Sequence, residues 1–185
     1  FSGILTGNLG KSYTYAKPVT EVMKPRFKIS IFFGLIGYFL TYIICIPLGI
    51  RKALQHGSGF DFASSVLIFI AYSIPGWALG GVSLVLFGGG SFWDIFPLGG
   101  FHSPTEIWDG LSLWGKFWDQ IHHMILPIIA WSINSFATMT ILMKNSLLEN
   151  MSQDYIRTAF AKGIAEKRVI WLHAFRKSII PIAAQ

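Results

Sequence analysis

Ile29–Ile50 reads ISIFFGLIGYFLTYIICIPLGI, 22 residues without an Asp, Glu, Lys or Arg. As an α-helix, at 1.5 Å per residue, such a run is ~33 Å long, enough to cross the ~30 Å hydrocarbon core of a bilayer. A strand reading fails, because the run lacks period-2 alternation and is too long. In lipid a helix satisfies its own backbone hydrogen bonds, which selects the helix. Two further runs repeat the pattern. Phe62–Trp93 has 32 uncharged residues, most apolar from Val66 to Phe87, and Gln120–Met143 has 24. Three such runs leave too little polar surface for a water-soluble core, so the expected class is an all-α, multi-pass transmembrane protein.

The composition agrees. Charged residues make up 13% of the 185 and hydrophobic ones 52%, against about 25% charged in an ordinary soluble domain. The net charge of +6 is compatible with nucleic acid, an anionic membrane surface or a soluble partner, and charge position decides among them. With three spans, the start of the chain and the 94–119 loop share one side. That side holds Lys11, Lys17, Lys24, Arg26, Lys28 and Lys116. The other side holds Arg51, Lys52, Lys144, Arg157, Lys162, Lys167, Arg168, Arg176 and Lys177. The richer side is expected to be cytoplasmic, and no nucleic-acid partner is expected. Asp94, Glu106, Asp109 and Asp119 against one lysine support an external 94–119 loop.

The expected organisation is a single membrane domain. Residues 1–28 form an external segment, 29–50, 64–89 and 120–143 membrane helices, 94–119 an external loop, 144–177 a cytoplasmic coupling loop, and 178–185 the start of the next span. The chain begins at Phe1 and closes on Ile179-Ile180-Pro181-Ile182, so it is read as a fragment with three full spans and the start of a fourth.

Inside the spans, Gly34 and Gly37 offer a place for a second helix to come close. Ser73, Pro75 and Trp77 mark a break, since Pro75 removes a donor and crowds the preceding turn. That kink either lines a pathway or serves packing. Trp93, Phe96, Phe101, Trp108, Trp114, Phe117 and Trp118 crowd the external loop, as interfacial anchors or as a binding surface. His56, His102, His122, His123 and His173 show no metal-site spacing, and His122 and His123, being adjacent, face different ways on a helix. They are read as interfacial or packing residues, with no metal and no cofactor. The lone Cys45 sits in an apolar run and is read as a small buried hydrophobe. Gly7-Asn8-Leu9-Gly10-Lys11-Ser12 superficially suggests a phosphate loop, but Leu5 stands where the first Gly is required. No helix is expected to follow, because Pro18 comes soon after. The spans hold no ionisable residue beyond histidine, which argues against an intramembrane enzyme.

The most informative segment is Asp154-Tyr155-Ile156-Arg157-Thr158-Ala159-Phe160-Ala161-Lys162-Gly163-Ile164-Ala165-Glu166-Lys167-Arg168-Val169. It is too charged to span. It reads as helix to Lys162, a turn at Gly163 where φ > 0 is cheap, and a second helical stretch from Glu166, an acid suited to a helix start. This segment resembles the cytoplasmic loop of the inner-membrane components of binding-protein-dependent ABC importers, in their dipeptide and oligopeptide branch. Pro181, 18 residues after Gly163, sits where that branch has its proline.

The resemblance extends along nearly the whole chain. Gly7–Ser12 with Pro18-Val19 is similar to the segment after the family's first helix. Ile46-Pro47-Leu48-Gly49-Ile50 is similar to the end of its second, and Ser73-Ile74-Pro75 to its third. Gly89-Gly90-Ser91-Phe92-Trp93-Asp94 with Phe96-Pro97-Leu98 is similar to oligopeptide importer subunits. Phe160 departs from a common Arg, and Lys28-Ile29-Ser30 from a Thr-rich helix entry.

The resemblance implies the type I permease fold of an ABC importer in the bacterial inner (plasma) membrane. It implies a transport subunit that is not an enzyme, for peptides, or alternatively for nickel or another small solute. A membrane scaffold without transport is the competing class, but a scaffold needs no such motif. Implied partners are ABC ATPase subunits, a second permease subunit, a periplasmic substrate-binding protein and membrane lipid. Arg157, Thr158, Ala159, Ala161, Lys162, Gly163 and Ile164 would form the coupling helix that rests on an ATPase subunit. Ala159 and Ala161 would allow close approach, and Arg157 and Lys162 would pair with acids.

Overall fold

The computed structural model describes residues 8–89 and 92–184. Leu5 and Gly7 of the first segment, Gly90 and Ser91 of the Gly89–Asp94 segment, and Gln185 lie outside the described residues. Among the described residues regular structure is helical, apart from isolated bridges joining Lys11 to Pro18 and Gly88 to Phe96. Two units are distinguished, one ending at Tyr38 and one starting at Phe39.

In the first unit the chain before helix α1 (Val19–Leu54) closes into a turn. The Ser12 N–H donates to the Lys17 carbonyl at 2.9 Å and the Val19 N–H to the Gly10 carbonyl at 3.0 Å. Arg26 donates to the Tyr15 hydroxyl at 3.1 Å and lies over its ring at 5.2 Å. Helix α1 begins at Val19 rather than Ile29, so Lys24, Arg26 and Lys28 sit on a helix and not in a loop. A helix therefore does follow the Gly-Lys-Ser segment. Pro18 does not prevent it, because the first N–H groups of a helix have no intrahelical acceptor to lose, and Glu21 suits the first turn.

The second unit holds the rest of α1, then α2 (Gly59–Ser73), α3 (Gly76–Phe87), the short α4 (Thr105–Trp108) and α5 (Leu113–Met151). After these come α6 (Asp154–Ala161), α7 (Glu166–Arg168), a π-helical turn (Val169–Ala174), α8 (Phe175–Ser178) and α9 (Ile180–Ala183). Helices α1 and α5 are each long and apolar enough to cross a membrane. The α2–α3 pair makes a third such unit if counted as one span, bent by 90° at Ile74-Pro75. The sequence places the break correctly. Proline cannot continue the backbone ladder, and the residue before it is pushed out of the helical region; Ile74 is extended, with φ −93° and ψ 117°.

Two close helix approaches lie at Gly49 and Gly76. A Cβ on Gly49 would stand 2.6 Å from the Met143 Cβ and 2.9 Å from the Thr140 carbonyl oxygen. A Cβ on Gly76 would run into the Ala130 carbonyl oxygen. These positions let α1 and α3 lie on α5. Gly34 has nothing within 4 Å of its would-be Cβ. The core gathers where α1 and α5 end: Cys45, Ile50, Ala53, Met139, Met143 and Leu147 pack with Ile156, Ala159, Val169, Ala174 and Ile182. Cys45 is fully buried there. Three ties from α1 and α5 fix the end of the chain. Ser146 Oγ donates to the Ser178 carbonyl at 3.0 Å, Ser178 Oγ lies 3.2 Å from the Ser146 carbonyl, and the Tyr42 hydroxyl donates to the Ile182 carbonyl at 2.7 Å.

Candidate functional site

Helix α6 is short and amphipathic. Ile156 and Ala159 are buried in the core just described, and Tyr155 and Ile164 pack against it. Arg157, Thr158, Phe160, Ala161, Lys162 and Gly163 are exposed. The predicted coupling residues thus divide. Five of them form one outward face with Phe160, but Ala159 turns inward, so close approach there is to this chain's own core. Ile164 is half-buried. Arg157 has a local acid, Asp154, at 3.6 Å, and both side chains are open to solvent.

The end of α6 is a Schellman cap. The Ile164 N–H donates to the Ala159 carbonyl at 3.3 Å and the Gly163 N–H to the Phe160 carbonyl at 2.9 Å. Gly163 has φ +75°, the left-handed conformation that this cap requires at that position. Nothing lies within 4 Å of its would-be Cβ, so backbone shape rather than space calls for glycine. Lys177 lies 3.8 Å from the centre of the Tyr155 ring, and the Tyr155 hydroxyl donates to Asn150 Oδ1 at 2.8 Å. Burial pushes the Tyr155 phenol above its ordinary range. The stretch from Val169, read from sequence as plain helix, is a π turn through Ala174. Such turns insert a residue into a helix and recur at functional sites.

Sequence reasoning missed a second constellation. Asp61, in the first turn of α2, is 5% exposed and Lys52, in the last turn of α1, 1%. Lys52 Nζ lies 3.0 Å from Asp61 Oδ1 and donates to the Asp61 carbonyl at 2.9 Å, Ser64 Oγ at 2.7 Å and Ser65 Oγ at 2.8 Å. Lys144 on α5 places Nζ 2.7 Å from both Asp61 carboxylate oxygens. His56 Nδ1 and the Gly57 N–H each lie 3.2 Å from Oδ2. His56 is thus a hydrogen-bonding neighbour of the Asp61 carboxylate. The local chain builds the site: Ser58 caps α2 by accepting from the Asp61 N–H at 3.3 Å, and Gly57, φ +79°, makes the turn that aims Lys52 at the start of α2. A sequence signal existed. Lys52, Asp61 and Lys144 stand within two residues of the ends of the three uncharged runs, at the ends that alternating spans bring together.

At the break, Ser73 Oγ donates to the Phe69 carbonyl at 2.8 Å, while Trp77 is 84% exposed. In the 94–119 connection the aromatics divide. Trp93, Trp114, Phe117 and Trp118 are exposed, whereas the half-buried Trp108 stacks on His102 at 4.3 Å. Asp119 accepts from the Ser103 N–H at 2.9 Å and from its hydroxyl. His122 and His123 each hold a backbone carbonyl, of Ile95 and Asp119. Among the described residues no cluster of His, Cys, Asp and Glu is placed to hold a metal.

Helices of membrane length and apolarity define an integral membrane protein. The chain belongs to the family of binding-protein-dependent transport system inner membrane components, which matches residues 45–185. It is 39% identical over 177 residues to the inner membrane ABC transporter permease protein YejB of Escherichia coli O157:H7, covering 96% of this chain and 48% of the relative. The peptidoglycan transport system permease protein YejB of Agrobacterium fabrum is 38% identical, with the same coverage. The dipeptide transport system permease protein DppB of Escherichia coli K12 is 31% identical over 194 residues, 97% of this chain and 57% of the relative. The chain spans about half the length of the curated relatives it matches.

Proposed function

We propose that this chain is part of a membrane-spanning permease subunit of an ATP-driven importer for peptides in a bacterial inner membrane. The observation that carries the reading is α6. Its inner face is buried in the core at the ends of α1 and α5, and its outer face, Arg157, Thr158, Ala161, Lys162 and Gly163, is bare. A helix fixed to the transmembrane bundle and bare on its far side is shaped to receive a push from another subunit. Residues 144–177 lie on the cytoplasmic side and 94–119 outside. ATP hydrolysis belongs to separate ATPase subunits whose acids meet Arg157 and Lys162. Their closure displaces α6 and rocks the spans between inward- and outward-facing states. A second permease subunit completes the pathway, and a periplasmic binding protein delivers the cargo.

The peptide assignment is supported by the dipeptide permease among the relatives. The Ser73-Ile74-Pro75 break serves packing first, because Gly76 seats α3 on α5; the exposed Trp77 is the residue that it leaves for the pathway. The test is Gly163→Val in the complete importer. The exposed cap bends out of shape, and both peptide uptake and co-purification of the ATPase subunits fall. Unchanged uptake and association contradict the coupling assignment.

A further inference from the structure

The three helices that carry the spans converge on Asp61, and what this junction does follows from where each helix leads. Helix α5 passes through Ser152 and Gln153 directly into α6. Helix α2 leads to the bend and α3. Helices α2 and α5 pack on each other, and an open groove of about 330 Å³, lined by Phe69, Tyr72, Ala137, Thr138 and Asn145 among others, lies along their contact. The Lys144–Asp61 pair, bonded through both carboxylate oxygens, ties the foot of α2 to α5. Lys52 does not compete for that role: its ammonium is already shared among Asp61, Ser64 and Ser65, which locks α1 to α2. At the far end of the pair, Gly76 against Ala130 seats α3 on α5. A buried ion pair is a weak stabiliser compared with apolar packing, because both charges lose water. A carboxylate surrounded by Lys52, Lys144, His56 and the Gly57 N–H instead fixes direction and register.

We propose that Lys144 and Asp61 are positioning residues for coupling: they make the foot of α2 travel with α5, so that displacement of α6 reaches the α2–α3 pair as one rigid movement. This rests on the coupling reading of α6. The pair stays closed through the transport cycle, and motion is expressed elsewhere.

Two measurements on the complete, reconstituted importer test it. In Lys144→Met, peptide imported per ATP hydrolysed falls about tenfold or more, within the usual range of coupling energies. ATPase association and ATP hydrolysis hold within about twofold, and Lys144→Arg, which keeps the charge, stays near the unaltered ratio. An unchanged ratio in Lys144→Met overturns the proposal. So does a loss of transport and hydrolysis together, in proportion to the complex recovered, since that marks a folding role alone. The second measurement leaves the pair intact. Spin labels at the exposed Phe62 on α2 and Glu149 on α5, with Cys45→Ala, keep their separation to within ~2 Å between nucleotide-free and ATP-bound states, the scale of small interface shifts. A change well beyond that overturns the rigid link. ATPase subunits that do not associate even with the unaltered chain overturn the coupling reading itself, and this inference with it.

Discussion

Lys144 meets Asp61 with its ammonium nitrogen 2.7 Å from both carboxylate oxygens, although the two stand 83 positions apart in the chain. Removing one member of a buried pair leaves the other charged and unpaired, at about 3–5 kcal/mol. Asp61→Asn leaves two lysines facing an uncharged amide, whereas Lys144→Met leaves Asp61 with Lys52 and His56. The thermal midpoint of the detergent-solubilised protein therefore drops in both, and further in Asp61→Asn. Equal midpoints for Asp61→Asn and the unaltered protein would show that the cluster is not closed.

Gly76 makes a separate prediction. A methyl group there meets the Ala130 carbonyl oxygen, which is backbone and cannot rotate away. Gly76→Ala should cost about 1–3 kcal/mol through overpacking. Gly81 lies in the same helix with nothing within 4 Å of its would-be Cβ, so Gly81→Ala should be neutral or gain up to about 1 kcal/mol of helix propensity. Chemical denaturation in mixed micelles reads the difference; similar effects at the two positions contradict the helix crossing.

Tyr155 gives a pH signature. Its folded phenol is raised by burial above the ordinary value of about 10. Below that value both folded and unfolded states keep the proton, and the contribution is complete. As pH rises past it the unfolded phenol ionises first, so stability is lost with rising pH. The alkaline fall in thermal midpoint should be shallower in Tyr155→Phe, which also loses the bond to Asn150, worth about 1 kcal/mol. Parallel alkaline curves for the two proteins contradict the buried phenol.

Much of this architecture is legible in the sequence, because lipid imposes length and polarity rules that single runs obey. Ile29–Ile50, the Pro75 break and the Gly163 turn each depend on local chemistry: uncharged length, a missing N–H, a left-handed φ. The early start of α1 was hidden because Lys24 and Arg26 look like loop residues, although nothing prevents an exposed helical turn from carrying them. The inward turn of Ala159 is not legible, because a small residue suits a foreign surface and its own core equally. The Asp61 cluster escaped for a different reason. Lys52 and Lys144 were weighed only as charges that set orientation, and no spacing rule joins residues on three helices. The π turn at Val169–Ala174 has no proline or glycine to announce it.

The central claim is that the bare face of α6 meets an ATPase subunit on the cytoplasmic side. Lys162 is exposed on that face, and Cys45 is the only cysteine in this sequence, so Lys162→Cys with Cys45→Ala, in an importer otherwise cleared of cysteine, places a reactive thiol at the proposed contact. In membrane vesicles holding the complete importer, a short bifunctional cross-linker should join this thiol to the ATPase subunit, with a yield that changes when ATP is added. A thiol that is instead modified by membrane-impermeant reagent from the periplasmic face, with no cross-link to the ATPase, contradicts the account.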